Sequence, residues 1–410
     1  MISLLDVLSR HSVRRAEEQA MYLPAWQGLG LHELYAHDKQ DLPFPLNAAD
    51  TTFFHTARSA IYYLFRELVR SGRRVVLVPD YHMGNEVRAI RAAGAQIIWY
   101  PVAHDFEMNR KTLRHLIREH NAQVFFVIHY AGWPQPMEQL RILCMESGLV
   151  LVEDCALAML TDLGGQPVGT FGDYAVFCLY KTLPLPDGGV LVQNQNVFKG
   201  ITRLPLRRGG KMFVAGRLAE LGIERFRSRY PVTGRRLVDV KQGIGRLLNR
   251  LHVERVPVGD TGFNPSHVGI GMASWSRRLF TGLDYKTIHR RRRENFLRLQ
   301  EQLPHHAAVR ADLPPGVCPL FFPLLVANKT QASRSLAQRG VMATELWNEG
   351  DPSVAGHEGP DARYLRRHVL ELPIHQDITW PHIDYMARQV RELDIVLPFS
   401  EAVHAESRIA

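Results

Sequence analysis

Short, continuously apolar runs, each followed by a stretch with helical spacing, fill the first half of this sequence and constrain its fold most. Residues 74–79 (RVVLVP), 96–102 (QIIWYPV), 124–130 (VFFVIHY) and 149–153 (LVLVE) lack the polar alternation of half-exposed strands. They read as strands buried on both faces. Between them, residues 85–93, 110–119 and 137–147 read as helices, the last with a clear amphipathic pattern. This alternation predicts an α/β fold with a mainly parallel sheet between helices. Residues 175–179 and 189–193 add two strands in close succession. Ligands in such folds gather beyond the carboxyl ends of the strands, so polar residues there carry most weight.

A chain of 410 residues suits one large domain and a smaller one. The expected division is 1–275, with a basic insertion at about 200–260, and a small α+β domain over 276–410. The latter shows an apolar run at 317–326, a helix near 330–338 and a last helix near 381–393. A long helix is expected from about 273 through the arginines at 290–293, with those arginines on its exposed face. At 46% hydrophobic and 22% charged residues, the composition excludes disorder, collagen and coiled coil. No apolar run is long enough to span a bilayer. Asp6, Arg10, Arg14, Arg15, Glu17 and Glu18 make the N-terminus unlike a secretory signal, which points to the cytoplasm. The four cysteines show no CxxC spacing and read as reduced, mostly buried thiols, with no metal site expected.

The formal charge of +9 does not mark a nucleic-acid binder. Residues 203–255 hold 14 Lys/Arg against 4 Asp/Glu, so the rest of the chain is close to neutral. This segment admits three readings. It is a solvated helical insertion, a collar for an anionic substrate built on Arg207, Arg208, Lys211, Arg227 and Arg229, or a membrane-surface helix. The last would use Val240, Ile244, Leu247, Leu248 and Leu251 with Arg246 and Arg250. No helix-turn-helix or zinc spacing supports DNA binding.

Two residues at strand ends suggest chemistry. Asp154 follows an apolar strand and is either a helix N-cap for 155–160 or a ligand-facing carboxylate. Lys181 ends the run 174–181 (YAVFCLYK) and is either a surface lysine or a desolvated amine fit for Schiff-base chemistry. A carboxylate beside such a lysine would keep a pyridine nitrogen protonated and the ring an electron sink.

Seven motifs in order then resemble the DegT/DnrJ/EryC1/StrS family of sugar aminotransferases, which are fold-type-I pyridoxal-phosphate (PLP) enzymes. They are Pro79–Tyr81 with Ala93–Ala95, His129–Gln135, Val152–Asp154, Gly169–Asp173, Lys181 with Asp187–Gly189, Gly262–Asn264 and Leu372–His375. The resemblance covers roughly 40–195 and 260–395. It implies a large domain of seven-stranded type and a homodimer with shared active sites. PLP would be joined to Lys181, with Asp154 on the pyridine nitrogen. The turn Thr56, Ala57, Arg58 and Ser59 would cradle the phosphate, and Asn264 would reach a phosphate across the dimer. His82 is the candidate for stacking on the ring. The chain departs from the pattern at Leu157, where the family has Gln or His. It departs again at Cys178 or Tyr180, near the place of a phosphate-binding Ser. Arg58 is bulkier than the usual residue, and Met83 stands where an aromatic would stack. The resemblance implies amino transfer, from L-glutamate, to a keto-sugar that is nucleotide-linked. The alternatives are a PLP-dependent lyase or dehydratase on the same fold, and a degenerate relative acting as a membrane-surface scaffold or regulator.

Overall fold

The computed structural model describes residues 21–30, 33–34, 41–209, 211–231, 233–234 and 262–398. The apolar runs form the strands they predict. These are β2 (Val75–Pro79), β3 (Gln96–Tyr100), β4 (Val124–Ile128), β5 (Val150–Asp154), β8 (Tyr174–Cys178) and β9 (Gly189–Gln193). Together with β1 (Thr51–Phe54) they make seven consecutive strands in the order β1-β9-β8-β5-β4-β2-β3. Two-residue strands β10 (Arg207–Arg208) and β11 (Ile270–Gly271) extend the β1 edge to nine. Neighbours from β3 to β8 are parallel, whereas β9 runs antiparallel to both β8 and β1. A short hairpin, β6 (Asp162–Leu163) and β7 (Gln166–Pro167), lies outside this sheet.

The sheet is buried on both sides, which is why its strands are continuously apolar. Along β8, Tyr174 and Val176 join one core cluster while Ala175 and Phe177 join the other, as the two-residue pleat requires. The first core takes the apolar sides of α1 (Ala57–Arg70), α2 (Asn85–Ala92), α3 (Arg110–His120) and α4 (Met137–Ser147). The second is closed by Leu221, Leu279, Phe280 and Ile288 from later helices. A one-turn helix, α5 (Leu179–Thr182), follows β8, and α6 (Lys199–Thr202) follows β9.

The basic segment, for which a helical insertion was one reading, contains α7 (Lys211–Arg229), a helix ahead of the amphipathic stretch singled out in the sequence. Its long run of Gly and Arg hides a stripe in which Val214 and Leu221 are buried. The amphipathic stretch 240–251 lies outside the described residues. The expected long helix from 273 is instead two, α8 (Ser274–Phe280) and α9 (Tyr285–Gln302). The break falls at Gly282 and Asp284; the Asp284 carboxylate caps α9 by accepting from the Thr287 N–H at 3.0 Å. Nor do all the arginines at 290–293 face solvent, because Arg292 is 1% exposed.

The C-terminal region builds a three-stranded antiparallel sheet, β12 (Phe322–Leu325), β14 (Val369–Leu372) and β13 (Thr344–Glu345). It is accompanied by α10 (Lys329–Gln338), α11 (Pro360–His368) and α12 (Trp380–Glu392). Residues 21–30 cross to this region: Leu23 exchanges backbone hydrogen bonds with Gly340 and Met342 at 2.8 and 2.9 Å. Among the described residues no helix is long and apolar enough to cross a membrane. All four cysteines are free and buried.

Glu153 pins the loop between β7 and β8. Its carboxylate accepts from the N–H groups of Gly169 (2.8 Å), Phe171 (2.9 Å) and Gly172 (2.5 Å) and meets His129 Nε2 at 3.1 Å. His129 Nδ1 accepts from Gln135 N–H at 3.0 Å, so Nε2 carries the proton and donates to Glu153. With Cys155 these residues form a group of metal-ligand type. The His129 nitrogens and both Glu153 oxygens are already spent on hydrogen bonds that hold the chain. Replacing Glu153 by Ala strands three buried N–H donors, and we expect a loss of about 3–5 kcal/mol in chemical denaturation.

Candidate active site

The carboxyl ends of β4, β5 and β8, the N-terminal turn of α1 and the start of α2 surround a cavity of about 390 Å³. Because residues alternate along β5, Glu153 points to the loop described above and Asp154 to the cavity. Asp154 Oδ1 accepts from Ala156 N–H at 2.9 Å, which gives it the capping role as well. Its carboxyl is pushed up to about 6, mainly by burial, with the neighbouring Glu86 carboxylate adding to the shift; Ala156, Lys181 and His129 oppose it. Among the described residues Asp154 makes no ion pair. A buried, underpartnered carboxylate of this kind suits a protonated heterocyclic nitrogen.

Lys181 lines the same cavity, but its setting differs from the expected strand end. β8 stops at Cys178 and Lys181 sits on α5, half-buried rather than sealed in apolar surroundings. The Leu179 N–H still follows the β8–β9 register, donating to the Gly188 carbonyl at 2.9 Å, but Gly188 N–H leaves the ladder for the His55 carbonyl at 3.0 Å and Leu183 N–H closes a turn on the Leu179 carbonyl at 2.8 Å.

The α1 N-terminus is the third component. Ala57 and Arg58 line the cavity, and N-cap Thr56 makes no side-chain cap bond; Ser59 N–H donates to the Thr56 carbonyl at 3.1 Å, which leaves the N–H groups of Ala57 and Arg58 to an anion. β9 passes directly beneath: a Cβ at Gly189 would lie 2.1 Å from the Thr56 carbonyl carbon. Only glycine permits that approach, which accounts for the second glycine of the Asp187–Gly189 motif. Asp187, fully buried, holds the same corner through His55 Nδ1 at 2.8 Å, Ala273 N–H at 3.1 Å and the Ser276 hydroxyl. Arg58 Nη1 donates to the Gly262 carbonyl at 2.5 Å, tying this turn to the segment that contains Asn264.

Three expected residues lie elsewhere. His82 is fully buried, stacked on Trp99 at 5.0 Å, and does not line the cavity. Its Nδ1 donates to the Pro79 carbonyl at 3.0 Å and its Nε2 accepts from Asp351 N–H at 2.9 Å, so both nitrogens serve the structure. Met83, the next residue, lines the cavity instead. Ser59 is buried behind the turn, with its hydroxyl 3.4 Å from that of Thr56. Asn264 is exposed and caps residues 265–267 by accepting from Ser266 N–H at 3.0 Å. Leu157 lines the cavity, as does Cys178, whose thiol burial pushes up.

Sequence reasoning missed Glu86, Trp26, Gln27, Glu345, Trp347 and Arg217, which also line the cavity. Glu86 is buried at the start of α2, with Oε1 accepting from Met83 N–H at 2.8 Å. Its place four residues before Ile90 in an apolar helix stripe was the available signal. Of the basic segment, Arg217 reaches the cavity, whereas Arg207, Arg208, Arg227 and Arg229 do not line it. Arg227 lies over the Tyr22 ring at 3.6 Å and Arg207 donates to the Ser266 carbonyl.

This fold and site match known proteins. Residues 56–229 match the DegT/DnrJ/EryC1/StrS aminotransferase family. GDP-perosamine synthase of Vibrio cholerae is 31% identical over 125 residues, 30% of this chain and 34% of that protein. The match thus spans about a third of that curated relative's length. The fold resembles Helicobacter pylori PseC, an aminotransferase involved in the biosynthesis of pseudoaminic acid (TM-score 0.62, 16% identity, 91% of this chain and 98% of that one). It also resembles a Streptococcus pneumoniae protein solved in PMP form (TM-score 0.60, 16% identity, 96% and 97% covered). The chain therefore shares the α/β fold of these aminotransferase structures, with a large, mostly parallel central sheet. The family match is thus confined to residues 56–229, which hold β2 to β9 and the cavity residues Ala57, Arg58, Asp154 and Lys181.

The raised Asp154 carboxyl makes a prediction for the cofactor-free protein. A folded value of about 6 against an ordinary 3.8 means the stabilising protonated form is full below 3.8 and lost as pH rises through 6. Asp154→Asn should therefore raise the stability of cofactor-free protein near pH 8 by about 1–3 kcal/mol, and this gain should vanish toward pH 4. Melting temperatures of both proteins across that range check it.

Proposed function

We propose that this chain is a PLP-dependent aminotransferase that moves an amino group from L-glutamate to the carbonyl of a nucleotide-linked sugar. The observation that carries the reading is the convergence of Asp154, Lys181 and the α1 N-terminus on one cavity. The residues fit the cofactor. Asp154 would hold the pyridine nitrogen, the N–H groups of Ala57 and Arg58 the phosphate, and Lys181 the reactive carbon. When bound, PLP supplies an electron sink that lets nitrogen pass between an amine and a carbonyl. Lys181 would carry the proton between the donor carbon and the cofactor side of the cavity, a task that suits a half-buried amine on a short turn. Asp154, with its ionised form opposed by burial, gains most by facing a positive pyridinium nitrogen.

The family match over residues 56–229 and the names of the relatives, among them a GDP-perosamine synthase, support a sugar acceptor. In this reading the enzyme is a homodimer, and Asn264, exposed beside the Arg58–Gly262 contact, serves the partner's phosphate site. The lining of Trp26, Trp347 and Arg217 gives the acceptor apolar faces and one cation.

A visible spectrum of purified protein with PLP tests this. The band of lysine-linked cofactor should appear, disappear in Lys181→Ala, and give way to the amine form on adding L-glutamate. Turnover of Lys181→Ala should fall by about 10³-fold or more. Labelled glutamate nitrogen should reach a keto-sugar; ammonia release without glutamate would point to a lyase, and an unchanged band in Lys181→Ala would reject the assignment.

A further inference from the structure

The turn that carries Lys181 does not satisfy its own backbone. A four-residue helix leaves its later carbonyls without intrahelical partners, and in α5 only the Leu179 carbonyl is bonded within the turn, by Leu183 N–H. Two buried side chains reach the next four carbonyls from outside, and that of Leu183 is also met by Leu185 N–H at 2.8 Å. Gln27 Nε2 donates to the carbonyls of Tyr180 (3.2 Å), Lys181 (3.3 Å) and Leu183 (3.0 Å). Arg292 Nη2 donates to the Thr182 carbonyl at 3.2 Å and to Gln27 Oε1 at 3.3 Å. Arg292 Nη1 is fixed on the Leu320 carbonyl at 2.7 Å.

Gln27 belongs to the segment 21–30 and Arg292 to α9, so three separate parts of the chain meet at α5. Both side chains are nearly inaccessible, at 2% and 1% exposure. A guanidinium buried without a carboxylate is costly, and packing alone would be served better by an apolar residue. The arrangement instead fixes every carbonyl from 180 to 183 in direction. Gln27 also lines the cavity, and a void of about 10 Å³ bounded by Gln27, Lys181 and Arg292 adjoins it. That is room for about one water.

We propose that Gln27 and Arg292 form a positioning clamp that sets the direction in which the Lys181 side chain enters the cavity. They are positioning residues, acting on the cofactor through Lys181. The inference rests on the reading of Lys181 as the cofactor lysine.

The test separates cofactor capture from its joining to Lys181, a condensation of amine and aldehyde that releases one water. Capture is read by fluorescence titration with PLP in a Lys181→Ala background, and joining by stopped-flow absorbance with Lys181 present. Gln27→Met keeps the side-chain bulk and removes the donors. It should slow joining by about 10–100-fold, as misplacement on the ångström scale does, and leave capture within about twofold. Arg292→Lys, which keeps the charge but loses the fork, should slow joining less. Equal joining rates in Gln27→Met and the parent, or a parallel fall in capture and joining, would overturn the clamp while leaving Lys181 in its role. A parent protein with no lysine-linked band would overturn both.

Discussion

Two consecutive carboxylates at the end of β5 set the terms for the rest of the molecule. The pleat sends Glu153 one way and Asp154 the other. Glu153 accepts from three backbone N–H groups and from His129, and so is fully answered by protein. Asp154 accepts from Ala156 and otherwise faces the cavity. Burying a charge without an ion pair is expensive, and burial accordingly pushes the Asp154 carboxyl up to about 6. The loop from Gly169 to Asp173 is held by the first carboxylate, and its rigidity fixes β8, the strand whose end leads to Lys181.

Around that pair the site is assembled from distant parts of the chain. β9 comes within touching distance of the α1 N-terminus because Gly189 has no side chain. Asp187 then locks β9 to the segment before α8 through Ala273 and Ser276. The segment 21–30 closes the opposite side: Gly28 N–H donates to Asp377 at 2.8 Å and Leu29 N–H to Leu221 at 3.1 Å. Arg225 of α7 pairs with the same Asp377. The cavity wall formed by Trp26 and Arg217 is thus anchored to the C-terminal region as well as to the sheet.

The sheet was legible in the sequence because burial on both faces leaves continuous apolar runs, and those runs have few other uses. β4 and β9 coincide with their runs to within two residues. Asp154 was legible for the same reason, as the first polar positions after such a run are confined to the strand end. Elements governed by single contacts were not. Arg292 sits in an RRRR run whose composition says solvent, while its burial depends on the carbonyls of Thr182, 110 residues away in sequence, and Leu320, 28 residues away. His82 looks like a ring-stacking residue until Trp99 and Asp351 are seen to take its face and its nitrogen. Lys181 continued an apolar run, and nothing local revealed that Gly188 N–H would leave the ladder for the His55 carbonyl and the chain would turn after Cys178.

The charge of the cavity follows from the same logic. Its two buried charged residues, Asp154 and Glu86, are acidic, while in the half-buried lining Arg58, Lys181 and Arg217 stand against Glu345 and Glu371. Basicity concentrated in residues 203–255 therefore does not translate into a basic cavity, and three of the described arginines of that segment are spent elsewhere. Arg225 goes to Asp377, Arg227 to the face of Tyr22 and Arg207 to a backbone carbonyl. What remains at the site is one α7 cation, Arg217, itself bound to Glu220. An anionic acceptor would consequently be held by few charges and many contacts. Such a site selects by shape and by hydrogen bonding more than by net attraction. The acidic interior, in turn, keeps the cation-favouring end of the cavity next to Asp154, where a pyridinium nitrogen would lie.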